Sequence, residues 1–174
     1  MSRDKTETGM AGRTALLGIL CALAVALSFL EGLLPALPVP GAKLGLSNIV
    51  TMFALSSLGL PAAFAVTMVK ALAALLRGGT AFFMSLTGGV FSTLAMAGAW
   101  RLWRDRLSFV GIGVLGAVAH NAGQLLAAML LLGPALWVYA PALLFFALAA
   151  GVITGLTLNV AMPALSRLPG TPRR

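Results

Sequence analysis

Long apolar blocks alternate along the chain with short stretches that are polar or rich in glycine and proline. The apolar blocks cover residues 14–34, 44–58, 61–76, 80–100, 108–132 and 140–165. A helix that crosses a bilayer needs about 20 apolar residues, with a range of about 17 to 25. The pattern therefore predicts an all-α, polytopic membrane protein with six transmembrane helices, of which the second and third are marginal in length.

The boundary between the second and third helices is the least obvious one. As a single helix, residues 44–76 would be about 50 Å long, which exceeds one membrane span. Gly59 and Pro61 lie near the middle of this stretch, and both residue types interrupt helices. We therefore predict a tight helical hairpin there.

The positions of the basic residues along the chain test the predicted number of helices. Nine of them flank the first, fourth and sixth blocks, namely Arg3, Lys5, Arg13, Arg101, Arg104, Arg106, Arg167, Arg173 and Arg174. With six helices all nine lie on one side of the membrane, and the positive-inside rule makes that side cytoplasmic for both termini. The predicted organisation is a basic cytoplasmic segment over 1–13, a six-helix transmembrane domain over 14–165 and a basic cytoplasmic tail over 166–174.

The composition indicates that most of the protein surface contacts lipid and not water. The chain of 174 residues is 60% hydrophobic and 9% charged, whereas a soluble domain is about 25% charged. Topology explains the net charge of +8 better than nucleic-acid binding does. Four acidic residues and one cysteine exclude a disulfide within the chain, a thiolate metal site and chemistry that needs several carboxylates. We expect neither a metal nor a cofactor.

Several residues are too polar for lipid contact. They are Glu31, Lys43, Asn48, Lys70, Arg77, Ser85, Gly88, Gly89, His120, Asn121 and Gln124. Polar groups in a membrane need partners or a wet cavity, and by depth these residues are concentrated in the outer half and the middle. Lys70 and Arg77 supply two positive charges, and Glu31 supplies one negative charge. This excess predicts a site that is open to the outside and binds an anionic ligand. The open alternatives are a structural ion pair for Glu31 and tight helix packing for Gly88 and Gly89.

The first block also carries small residues at intervals of four, which are Gly18, Ala22 and Ala26. Such a stripe lets another helix approach closely. It indicates either packing within the bundle or a face that contacts a partner protein.

Three stretches together resemble a known bacterial family. They are Glu31 with the loop Pro35–Asn48, the segment Ser85–Ser92 and the segment Gly116–Leu125. Over residues 14–165 the chain is similar to the Gx transporter family, also called heptaprenyl diphosphate synthase component I. That family is itself similar to the substrate-binding S components of energy-coupling factor (ECF) transporters.

The resemblance to S components implies a fold and a set of partners. S components have six helices and both termini inside. By this resemblance Gly18, Ala22 and Ala26 would contact a transmembrane coupling subunit that is driven by two ATPases. The ligand would bind near the outer side, under the loop over residues 35–47.

The leading prediction is a non-enzymatic, S-component-like binding subunit of an ECF-type uptake transporter in the bacterial cytoplasmic membrane. Its ligand would be a small, anionic vitamin-like molecule or an isoprenoid or quinone precursor. The alternative is a non-catalytic accessory subunit that acts with a soluble prenyl diphosphate synthase. The catalyst itself needs aspartate-rich motifs for Mg²⁺, and the only aspartates are Asp4 and Asp105. Two further alternatives are a proton-coupled carrier, in which Glu31 and His120 would be the titrating groups, and a simple scaffold.

Overall fold

The computed structural model describes residues 2–33, 45–103 and 106–167 of the chain. The six α-helices are α1 Ser2–Leu33, α2 Leu46–Leu58, α3 Leu60–Ala73, α4 Gly79–Trp103, α5 Phe109–Leu132 and α6 Ala140–Leu165, with 3-10 turns at Ala74–Arg77 and Pro134–Tyr139. Five helical stretches are long and apolar enough to cross a membrane, and α2 is a shorter apolar helix. The protein is a multi-pass helical membrane protein.

The predicted helix boundaries agree with the structure at most positions. Gly59 separates α2 from α3 with φ 95°, a left-handed conformation that favours glycine because it has no Cβ atom. Helix α6 begins and ends at the predicted residues. Helix α1 differs, because it begins at Ser2 and so includes most of the predicted N-terminal segment. The orientation of the helices relative to the cytoplasm stays a prediction.

Helix α2 occupies the middle of the bundle. Its 13 residues span about 20 Å, and nine of them are buried. It contacts each of the other five helices, which follow one another around it in the order α1, α3, α4, α5 and α6. Within the described residues α1 and α6 do not meet. The polar first turn of α2 therefore lies inside the protein and not at its surface.

Glycines bring the last three helices close together. A Cβ atom built on Gly123 of α5 would lie 2.8 Å from the carbonyl oxygen of Thr87 on α4. On α6, Cβ atoms at Gly151 and Gly155 would collide with the α5 backbone. Small residues at such contacts are the usual means by which membrane helices approach each other. They hold α5 firmly between α4 and α6.

The two ends of the bundle have different interiors. One end contains an apolar core that includes Leu20, Phe53, Met96, Ile112 and Leu158. The other end is formed by the last turns of α1, the first turns of α2 and the adjoining parts of the other helices. Most of the buried polar side chains are at that second end, and they form the candidate site.

Candidate functional site

All six helices contribute to one small, largely buried cavity, which we call the polar cavity. Its lining residues are Ser28, Glu31, Gly45, Ser47, Asn48, Lys70, Ser85, Ala117, His120, Asn121, Ala147 and Ala150. Its volume is about 20 Å³, which is room for about one water molecule. In this conformation the polar cavity cannot hold a vitamin-sized molecule, whose pocket would measure about 300–1,000 Å³.

Glu31 caps the N-terminus of α2 from the neighbouring helix α1. The backbone N–H of Leu46 donates to Glu31 Oε1 at 2.6 Å, and the Ser47 hydroxyl donates to Oε2 at 3.3 Å. Gly45, the N-cap residue, has no side chain that could do this. The first N–H groups of a helix need acceptors, and a negative charge there is favoured by the helix dipole. Glu31 thus has a structural role as a helix cap, whereas the structural alternative predicted from sequence was an ion pair.

Lys70 reaches the same turn of α2 from helix α3. It is only 3% exposed, and its Nζ donates to Asn48 Oδ1 at 3.0 Å and to Ser47 Oγ at 3.4 Å. The Ser47 hydroxyl therefore links the carboxylate of Glu31 to the ammonium of Lys70. We call Glu31, Ser47, Asn48 and Lys70 the charged cluster. A buried ammonium within a membrane is expensive unless it is held in this manner.

Helix α5 supplies the opposite wall. His120 and Asn121 are buried and line the polar cavity. The side-chain amide of Asn121 donates to the carbonyl oxygen of Leu143 at 3.0 Å, which fixes it between α5 and α6. One turn later Gln124 is 3% exposed, and neither atom of its amide has a hydrogen-bond partner within the described part of the chain.

The structure gathers six of the eleven predicted site residues around the polar cavity. These are Glu31, Asn48, Lys70, Ser85, His120 and Asn121. Arg77, Gly88, Gly89 and Gln124 do not line it, and Lys43 lies outside the described residues. Ser28 lines the cavity although the sequence did not single it out, and Gly45 and Ser47 line it from the stretch that the resemblance places over the ligand. The role of all these residues in ligand binding stays a prediction.

Arg77 joins α1 to the end of α3 beside the polar cavity. Its guanidinium donates to the Ser28 hydroxyl at 3.2 Å and to the Ser28 carbonyl oxygen at 3.4 Å. It also lies 5.6 Å from the centre of the Phe29 ring. Arg77 therefore does not line the polar cavity beside Lys70, although the sequence predicts that both cations face Glu31 there. Among the described lining residues, the polar cavity contains one ammonium and one carboxylate.

Gly88 and Gly89 lie at contacts between helices. A Cβ atom on Gly88 would lie 2.7 Å from Gln124 Cγ and 2.8 Å from the His120 carbonyl oxygen. A Cβ atom on Gly89 would lie 2.6 Å from Cγ2 of Thr67 on α3. Of the two alternatives for this pair, the geometry favours tight helix packing.

Gly18, Ala22 and Ala26 lie on an exposed face of α1. A Cβ atom on Gly18 would meet no atom of the described chain within 4 Å. This stripe is therefore not used for packing between the described helices, and the partner face stays a prediction.

A second, apolar depression runs between α5 and α6, and we call it the α5–α6 groove. Its lining residues are Val118, Asn121, Ala122, Leu125, Leu126, Met129, Trp137, Ala140, Leu143, Leu144 and Ala147. Its volume is about 330 Å³. Asn121 and Ala147 line both the groove and the polar cavity, so the two spaces share a wall.

Comparisons with known proteins give one family. The family model described as heptaprenyl diphosphate synthase component I matches residues 20–161. That range contains every lining residue of the polar cavity and of the groove. It confirms the resemblance seen in the sequence motifs. A search of curated proteins and a search of solved structures each returned no match.

Proposed function

The chain belongs to the heptaprenyl diphosphate synthase component I family, and we propose that it is a non-catalytic membrane subunit that binds a small molecule at the polar cavity. The observation that carries this proposal is the charged cluster, which lies buried where all six helices meet. Ionisable groups within a membrane are costly, and they commonly mark sites for ions or substrates.

The composition of the cavity favours binding over catalysis. Prenyl diphosphate synthesis requires carboxylates that hold Mg²⁺ on the diphosphate. The chain has two aspartates, Asp4 and Asp105, and neither belongs to an aspartate-rich motif. In the charged cluster, the single carboxylate of Glu31 already accepts two hydrogen bonds from α2. A catalytic subunit would therefore have to be a different protein.

Two versions of this role differ in the partner. In the first, the chain is a membrane accessory subunit of a prenyl diphosphate synthase, and the family description agrees better with this version. In the second, it is the binding subunit of an ECF-type uptake transporter. The exposed stripe of Gly18, Ala22 and Ala26 supports a membrane-embedded partner, which the transporter version requires.

The ligand that suits the cavity carries a small polar group. Lys70 can donate to such a group, and Glu31 opposes a large additional negative charge at the same place. The proposal therefore retains a small polar ligand but does not require the anionic group that the sequence predicts.

Affinity purification from the native host tests this proposal. Tagged wild-type protein, Lys70→Met and Ser85→Ala are purified in mild detergent, and bound small molecules and proteins are identified by mass spectrometry. Thr67→Val is the matched control, because Thr67 is a buried α3 residue that bonds to Thr93 on α4. We expect one small molecule in wild type and Thr67→Val that is reduced in both cavity variants.

The co-purifying proteins separate the two versions. A prenyl diphosphate synthase would favour the accessory subunit, and a coupling membrane protein with ATPases would favour the transporter. The proposal is wrong if the same small molecules accompany all four proteins in equal amounts.

A further inference from the structure

We propose that the ligand is an amphiphile whose small, neutral polar head lies in the polar cavity and whose apolar tail lies in the α5–α6 groove. This inference rests on the proposed function and adds the chemical class of the ligand. Asn121 and Ala147 line both spaces, so the two spaces adjoin there, and the head enters the polar cavity when the Asn121 amide turns away from the Leu143 carbonyl oxygen.

The volumes decide where the bulk of a ligand can lie. The polar cavity measures about 20 Å³ and the groove about 330 Å³. Pockets for small molecules usually measure about 300–1,000 Å³. Only the groove is large enough for most of a ligand, whereas the polar cavity accepts a group of about the size of one water molecule.

The chemistry of the two spaces divides in the same way. Apart from Asn121, the groove is lined by apolar side chains and by Trp137. In the polar cavity, Lys70 can donate a hydrogen bond and Glu31 can accept one. Their opposite charges are linked through Ser47, so a hydroxyl group, which both donates and accepts, adds no unbalanced charge.

The head must supply most of the selectivity. A tail that leaves lipid for the groove remains in an apolar environment, because lipid tails are as apolar as the side chains that line it. Hydrogen bonds to buried charged groups, in contrast, are strong. A chain with a hydroxyl head should therefore bind much better than the same chain without one.

Trp137 provides the measurement, because it lines the groove and is one of three tryptophans. Bromodecanol is added to the purified protein in lipid nanodiscs, and quenching of tryptophan fluorescence is followed. We expect saturable quenching that is lost in Trp137→Phe. Bromodecane, which lacks the head, should bind about tenfold more weakly. Bromodecyl phosphate, whose head is larger and charged, should also bind more weakly.

The same substitution at two alanines, one in the groove and one outside it, tests the position of the tail. Ala122 lines the groove and Ala149 lies on the exposed surface of α6, outside it. Ala122→Phe should weaken bromodecanol binding about tenfold, and Ala149→Phe should leave it unchanged. Both positions are exposed, so neither substitution should prevent folding.

The outcomes separate this inference from the proposed function. Equal affinity for bromodecane and bromodecanol would mean an ordinary lipid-chain site and would overturn the inference. Tighter binding of the phosphate would overturn the neutral head, and absence of saturable quenching would overturn the amphiphile. A water-soluble molecule whose retention depends on Lys70 would leave the proposed function standing while this inference failed.

Discussion

Lys70→Met, combined with Glu31→Gln, tests the charged cluster most directly. Lys70→Met removes the hydrogen bonds from the ammonium to Ser47 and Asn48 and leaves the buried carboxylate of Glu31 without the charge linked to it through Ser47. A buried polar group that loses its partner costs about 1–3 kcal/mol, and a charged group costs more. Glu31→Gln keeps an oxygen that can accept from the Leu46 N–H but removes the negative charge, which the helix dipole favours by about 0.3–1 kcal/mol.

The double substitution should destabilise the protein by less than the sum of the two single changes. Once residue 31 is a neutral glutamine, Lys70→Met no longer leaves a buried negative charge without its positive partner. Residues in one hydrogen-bond network typically couple by about 0.5–3 kcal/mol. Because the two charged groups share a single hydroxyl, we expect coupling of about 1–3 kcal/mol, with the double variant more stable than additivity predicts.

The assay is reversible unfolding in mixed micelles with increasing sodium dodecyl sulfate, applied to the wild type, both single variants and the double variant. In a control cycle, Thr67→Val takes the place of Lys70→Met beside Glu31→Gln. Thr67 is on the same helix as Lys70, but its hydroxyl bonds to Thr93 on α4 and not to the charged cluster. That control should be additive within about 0.5 kcal/mol. If the Lys70 cycle is equally additive, Glu31 and Lys70 do not stabilise each other and the charged cluster is not an energetic unit.

Three further predictions concern packing, assembly and topology. Gly155→Ala should lower the free energy of unfolding by about 1–3 kcal/mol in detergent, because the added Cβ collides with the α5 backbone. Gly18→Ala should not lower it, because a Cβ at Gly18 meets no atom of the described chain within 4 Å. Gly18→Leu should leave that free energy unchanged but reduce co-purification of the membrane partner, and an unchanged complex would argue against a partner face. With Cys21 replaced by alanine, Val138→Cys should react with an impermeant maleimide in whole cells, and Trp103→Cys only after permeabilisation; the reverse pattern would invert the proposed topology.

The helices could be predicted from sequence because their ends are marked by residues with simple physical effects. Gly59, Gly78 and Gly133 all have positive φ values at the ends of apolar stretches. The position of α2 at the centre was not predictable in this way. Its sequence is less apolar than those of α3, α5 and α6, and its location depends on how five longer helices pack around it.

The candidate site was predictable only in part, for a related reason. Glu31, Lys70, His120 and Asn121 share the cavity because polar side chains in a membrane turn towards the interior. Ser47 gave no signal, because a serine in an apolar helix usually bonds to its own backbone. The α5–α6 groove was also invisible, since its lining is indistinguishable in sequence from any lipid-facing surface.

Helix α1 connects the exposed stripe to the polar cavity as a rigid rod. It is continuous from Ser2 to Leu33, and Gly18 is about 20 Å from Glu31 along its axis. A tilt of only about 3° around Gly18 would therefore move the Glu31 carboxylate by about 1 Å. Along the bond, that displacement would lengthen the distance between Glu31 and the Leu46 nitrogen from 2.6 Å to about 3.6 Å, which is too long for a hydrogen bond. A partner that tilts α1 would thus uncap α2 and loosen the wall of the cavity from a distance, with no contact to the ligand.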